Sequence, residues 1–174
     1  MKIKPVYTRF INEKKGNNII FFDRDGVLNK DTSYIDSTKR IEILHNNLEK
    51  ILDIIEEKGI EDSIKVIVSN QSGIAREYFT IDVADKIMKK VILDIKGYFD
   101  IDAYLFAPYH ISGRHLFESP DDANYFRKPN PGMINFILSK YGVDKNNSIL
   151  FGDRETDKLA ALNAGLSNDN IFII

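Results

Sequence analysis

Cysteine is absent from the 174 residues, which excludes disulfides and thiolate metal sites. Charge of one sign is also lacking. The formal net charge of -2 offers no electrostatic footprint for nucleic acid or an anionic membrane, so neither is expected as a partner. No apolar run approaches bilayer length, and Met1-Lys2-Ile3-Lys4 leads into no signal-type apolar core, so a cytoplasmic protein is expected. Repeats, low-complexity tracts and linkers are missing too. One domain over 1–174 is expected, with 1–18 as an N-terminal extension, as a monomer or small homo-oligomer. What is present is ordinary globular material, 43% hydrophobic and 29% charged.

The chain alternates short apolar runs with amphipathic stretches. Ile19–Asp23, Lys65–Ser69, Ala103–Ala107, Ser148–Gly152 and Asn170–Ile174 read as strands buried on both faces. Between them lie helical patterns from Ile43 to a stop at Lys58-Gly59, and from an N-cap at Thr80 to near Gly97. Further helices are expected from Pro131 at the first helical position to Tyr141-Gly142, and over Thr156–Ala164. This alternation predicts an α/β fold: a Rossmann-like, doubly wound parallel sheet with helices on both faces. The extension, with Val6, Tyr7, Phe10 and Ile11, is read either as an edge strand or as packing over the sheet. Pro108–Asn130 is too long for an ordinary connection, and its aromatics predict a packed loop near the site, able to serve as a lid.

Polar clusters fall at the predicted strand ends: Asp23/Asp25, Ser69-Asn70-Gln71-Ser72-Gly73, Arg127-Lys128-Pro129, and Gly152-Asp153-Arg154 with Asp157 beyond. Each alone is weak, since an isolated Asp-x-Asp is common in surface loops. An EF-hand is excluded because its glycine belongs later in the loop and a strand leads in. In order, at strand ends that an open sheet gathers on one edge, they supply what phosphoryl transfer needs. One carboxylate can attack phosphorus, and a second can serve as acid and then base. A hard divalent cation offsets the repulsion between anions, while a hydroxyl and a lysine hold the equatorial oxygens.

These residues carry a resemblance. Asp23-Arg24-Asp25-Gly26, Ser69, Lys128 and Gly152-Asp153 resemble the four motifs of the haloacid dehalogenase-like phosphatase superfamily. Asp-Arg-Asp-Gly-Val-Leu-Asn, Ser-Asn-Gln-Ser-Gly-Ile-Ala-Arg, Tyr-Phe-Thr and Arg-Lys-Pro-Asn-Pro-Gly-Met resemble its heptose 1,7-bisphosphate phosphatases, a subfamily shared with histidinol-phosphate phosphatases. The likeness runs from about Ile19 to the C-terminus. It implies a capless enzyme with Asp23 as nucleophile, Asp25 as general acid/base, and Ser69 and Lys128 on the transferring phosphoryl group. It further implies Mg²⁺ on Asp23, the Asp25 carbonyl and Asp153. Substrate contacts would come from Asp31, Tyr34, Asn70, Gln71, Ser72, Arg76, Arg127 and Arg154.

The chain departs from that pattern in places. Relatives often carry a zinc staple in the long loop, but the matching positions here are Ala107, Tyr109, Asn124 and Phe126, so no zinc is expected despite His110 and His115. Glu77 stands where a glycine is usual. Gly-Asp-Arg-Glu-Thr-Asp leans to the histidinol-phosphate type, and Ile-Ala-Arg and Asn-Pro-Gly-Met to the heptose type. The expectation is a Mg²⁺-dependent phosphatase of heptose 1,7-bisphosphate, with histidinol phosphate as the alternative substrate. A polynucleotide 3′-phosphatase or a phospho-acceptor receiver domain stands further off.

Overall fold

The protein, taken from a computed structural model, is described over residues 2–114 and 117–174; His115 lies outside them. Its strands are β1 (Tyr7–Phe10), β2 (Ile19–Phe22), β3 (Ile64–Asn70), β4 (Ala103–Ala107), β5 (Ser148–Gly152) and β6 (Ile171–Ile173). Its α-helices are α1 (His45–Glu57), α2 (Ile81–Asp94), α3 (Pro120–Phe126), α4 (Gly132–Tyr141) and α5 (Glu155–Ala164). The sheet order is β1-β4-β3-β2-β5-β6, parallel throughout except that β1 runs antiparallel to β4.

Alternation along each strand divides the core into two layers, as expected for a doubly wound sheet. Ile20 and Phe22 of β2 face Leu48, Ile51 and Ile55 of α1 and Met88 and Val91 of α2. Ile19 and Phe21 face the other way, onto Met133, Ile134 and Ile137 of α4 and Ala160, Ala161 and Ala164 of α5. The small residues of α5 let that helix lie close to the sheet.

The extension takes the edge-strand form. Tyr7 and Tyr104 each donate their hydroxyl to Asp85 Oδ1, at 2.7 and 2.6 Å, tying β1 and β4 to α2 through one buried carboxylate. Helix starts shift slightly from expectation, with α1 beginning at His45, α4 leaving Pro131 just outside, and α5 beginning at Glu155.

The 108–130 connection needs a correction, because it contains a helix. Ser119 caps α3 by accepting from the Asp122 amide at 3.3 Å, Pro120 occupies the first turn, and Asp121 and Asp122 favour the positive end of the helix dipole. Ala123 then packs with Phe117 and Ala75, against Ile3 and Tyr109. Ile3 reaches this loop through a bridge to Phe117, and its carbonyl accepts from the Glu118 amide at 3.0 Å.

Candidate active site

The strand order reverses at β2 and β5, and such switch points leave a crevice beyond the strand carboxyl ends. Asp23 follows β2 and Asp153 follows β5. The Asp23 amide donates to the Phe151 carbonyl at 2.9 Å, carrying the ladder one residue past β2. A crevice of about 320 Å³ opens there, lined among others by Asp23, Asp25, Ser69, Lys128 and Asp157.

Lys128 is the hub. Its ammonium donates to Asp23 Oδ1 at 2.7 Å and to the Val68 carbonyl at 2.9 Å, and lies 2.5 Å from Asp157 Oδ1. Burial works against its charge, but Asp23 and Asp157 outweigh that and hold its pKa above the ordinary lysine value. Asn70 sets the segment in place by exchanging bonds with the Lys128 backbone, accepting from its amide and donating to its carbonyl at 3.0 Å each.

Asp23, Asp153 and Asp157 each place an oxygen within 4.8 Å of the others. Against three acids stand the Lys128 ammonium and the Arg154 guanidinium, which lies 3.7 Å from Asp153 Oδ2 and is shared with Asp31, so the group carries excess negative charge. Burial foremost, then Asp157 and Asp25, push Asp23 up to about 7 against the pull of Lys128. Asp153 is raised as well, by burial and then by Asp157. Asp153 Oδ1 is buried with no hydrogen-bond partner. The backbone is pared away beside it: Gly26 has φ +89, and a Cβ there would collide with the Asp153 carboxylate. An orphaned carboxylate oxygen among clustered acids is the start of a donor set for a hard divalent cation. Asp157 is less suited as a ligand, since Oδ1 meets Lys128 and Oδ2 accepts from the Asp153 and Arg154 amides at 3.3 and 3.1 Å.

The Asp25 side chain lines the same crevice with a different set of partners. Arg24, 1% exposed, grips it through Nε and Nη2 at distances down to 2.5 Å. Asn29 donates to Oδ1 and Gln71 to Oδ2, both at 3.0 Å. Burial alone would raise Asp25, but Arg24 foremost, then Asn29 and Gln71, hold it below the ordinary carboxylate value. Two neighbouring acids are thus pushed in opposite directions, and with no cation bound Asp23 is the more basic of the two.

Asp31, Tyr34, Asn70, Gln71, Ser72, Arg127 and Arg154 all line the crevice. Ser33 and Tyr34 hold left-handed φ values of 55 and 45, in a turn that Asp31 Oδ1 secures by accepting from the Ser33 amide at 2.9 Å. Asp31 also pairs with Arg154. Arg76 stands behind the lining, over the Tyr34 ring at 5.8 Å and against His110 Nε2 at 2.9 Å. Arg127 donates to the Tyr109 carbonyl at 3.1 Å.

Sequence reasoning left Arg24, Asn29 and Asp157 without roles. The signal for Asp157 was its place four residues after Asp153, across the first turn of α5. The signal for Arg24 was a cation set between two acids at a strand end.

A HAD-hydrolase-like family model matches residues 125–168. Over 151 residues the chain is 32% identical to the D-glycero-beta-D-manno-heptose-1,7-bisphosphate 7-phosphatase of Pasteurella multocida, spanning 86% of this chain and 78% of that one. It is likewise 32% identical over 155 residues to the D-glycero-alpha-D-manno-heptose-1,7-bisphosphate 7-phosphatase of Burkholderia mallei, covering 86% and 77%. A putative HAD-like phosphatase from Mesorhizobium loti superposes with a TM-score of 0.80 at 31% identity, covering 93% of this chain and 77% of that one. The D,D-heptose 1,7-bisphosphate phosphatase of B. bronchiseptica, solved with magnesium and phosphate, superposes at 0.69 with 31% identity, covering 86% and 78%. With the motif acids and the lysine gathered at one sheet edge, the chain belongs to the heptose-1,7-bisphosphate 7-phosphatase family of HAD-like phosphatases.

Proposed function

We propose that this phosphatase removes the 7-phosphate of D-glycero-D-manno-heptose 1,7-bisphosphate, with Mg²⁺ bound and Asp23 as the attacking group. The observation that carries the reading is Asp23, which lines the crevice, held by Lys128 with carboxylate oxygens of Asp153 and Asp157 within 4.8 Å of its own. Mg²⁺ would be held by Asp23, Asp153 and the Asp25 carbonyl. When bound, it offsets the repulsion between an anionic nucleophile and an anionic phosphate.

Asp23 attacks phosphorus in line and forms an aspartyl-phosphate as the sugar oxygen leaves. Lys128 and the Ser69 hydroxyl hold the equatorial oxygens, where charge spreads in the transition state. Asp25 protonates the leaving oxygen, then takes a proton from the water that cleaves the acyl phosphate. An arriving phosphate dianion raises the proton affinity of Asp25 by like-charge proximity, countering Arg24.

Arg127, which makes no ion pair among the described residues, shares the mouth with Arg154, and Arg76 stands behind them against His110. Such a mouth suits a second phosphate. Histidinol phosphate has no second phosphate, and the cationic groups it brings, an ammonium and an imidazole, would meet like charge there.

The test compares phosphate release from heptose 1,7-bisphosphate, histidinol phosphate and a 3′-phosphorylated oligonucleotide, each with Mg²⁺ and with EDTA. Mg²⁺-dependent preference for the heptose is the expected result, and preference for either other substrate refutes it.

A further inference from the structure

Gln71 was expected to touch substrate, but its amide is already committed. We propose that Gln71 is a positioning residue that locks the Asp25 carboxylate to the Ser69 hydroxyl across two separate elements. The inference rests on the roles given to Asp25 and Ser69 above.

A carboxylate only accepts, so the amide nitrogen of Gln71 must be the end that faces Asp25. One N–H reaches Asp25 Oδ2 at 3.0 Å, and the same nitrogen lies 3.0 Å from Ser69 Oγ, within reach of the other. Because Ser69 Oγ accepts from Gln71, its own proton is left for a phosphoryl oxygen. Gln71 is 4% exposed and Ser69 1%, so water is poorly placed to replace a lost donor.

The other donors to Asp25 do not do the same thing. Arg24 and Asn29 sit on Asp25's own turn, one and four residues away, and move with it. Gln71 comes from 46 residues away, at the end of β3. Its own amide donates to the Ala107 carbonyl at 2.8 Å, so the arm springs from a backbone anchored in the sheet. Among the described residues, this is the hydrogen bond that reaches the Asp25 carboxylate from the strand that carries Ser69.

A displaced acid/base slows reactions in proportion to how much the leaving oxygen needs a proton. A sugar alkoxide needs one; p-nitrophenolate scarcely does. The experiment uses the full-length, Mg²⁺-loaded enzyme in excess over substrate and measures single-turnover release of the leaving group. Gln71→Met keeps the length and removes both donors, while Gln71→Asn keeps the donors and shortens the arm. Both variants should release sugar about 10- to 100-fold more slowly, with half-saturation unchanged and p-nitrophenol release within about threefold of wild type. Equal loss on both substrates, weaker binding with intact rates, or no change in either variant overturns the inference. Asp25→Asn is run alongside. Bias towards the activated substrate in Asp25→Asn but not in the Gln71 variants rejects the Gln71 link alone, and its absence in Asp25→Asn rejects the acid/base assignment on which the link rests.

Discussion

At the scale of single residues, Asp23 and Asp25 stand one residue apart but are held by different partners, Lys128 for the first and Arg24, Asn29 and Gln71 for the second. Asp23→Asn should abolish turnover, because an amide cannot attack phosphorus, and circular dichroism should show the fold retained. Asp25→Asn should lower kcat by about 10²- to 10⁴-fold, the usual contribution of a general acid/base, read in steady-state kinetics. Turnover near wild type in either variant refutes that residue's role. Glu77 is a different case. It stands exposed at φ 63, the left-handed conformation that a glycine adopts freely, beside an ion pair of 3.6 Å to Arg114 with both side chains exposed. The chain has kept the turn and given up the residue that suits it. Left-handed backbone costs an ordinary residue about 1–2 kcal/mol, and glycine's extra unfolded freedom returns about 0.5–1 of that. Glu77→Gly should therefore raise stability by about 0.5–1 kcal/mol in denaturant titration, with kcat unchanged; a destabilised variant contradicts this. The unusual residue was visible in the sequence. The conformation it keeps was not.

At the scale of elements, the 108–130 connection shows how a loop is held when none of the expected zinc-ligand positions carries Cys or His. Tyr109 meets Phe117 edge-on at 5.3 Å, Ala75 and Ala123 close the small cluster, and Ile3 lays backbone across it. The same loop carries the Tyr109 carbonyl that holds Arg127, so its packing reaches the crevice mouth. Phe117→Ala should raise KM several-fold while kcat stays within about twofold, because it removes a support of Arg127 and none of the reacting groups. Faster proteolytic nicking in the loop should accompany it, and an unchanged KM would show that the cluster does not position the mouth. The aromatic content of this loop was legible, and so was its packing role. The helix α3 inside it is announced by Ser119-Pro120-Asp121-Asp122, but at seven residues it is too short to show the apolar periodicity that marks the other helices. The part played by Ile3 was not legible, since a backbone bridge between residues over a hundred positions apart leaves no pattern in either segment.

At the scale of the whole molecule, the strands were legible because burial on both faces requires unbroken apolar runs, and the sheet edge followed from their order. Less legible was the charge balance of the site, which depends on distances between β2, the 128 segment and α5. Burial pushes Asp23 up to about 7 and raises Asp153, whereas Arg24 lowers Asp25. A carboxylate whose folded pKa is raised favours folding fully below its unfolded value near 3.8, and that contribution is lost as pH rises through about 7. A lowered one contributes above its unfolded value and is lost as acid protonates it. The Asp25 contribution is therefore already complete near neutrality, and between about pH 5 and pH 8 Asp23 and Asp153 set the downward slope, with His110, whose pKa burial and then Arg76 lower, working against them. In EDTA the melting temperature should fall across that window. Mg²⁺ held by the ionised cluster should reverse the fall, by about 2.7 kcal/mol at a hundredfold excess over Kd, or roughly 5–10 °C for a chain of this size. Asp23→Asn should melt higher than wild type in EDTA at the alkaline end, with a flatter slope and a smaller response to Mg²⁺. A wild-type melting temperature that stays level or climbs from pH 5 to pH 8 in EDTA would mean that the cluster tolerates its own charge, and would remove the electrostatic reason for a cation at this site.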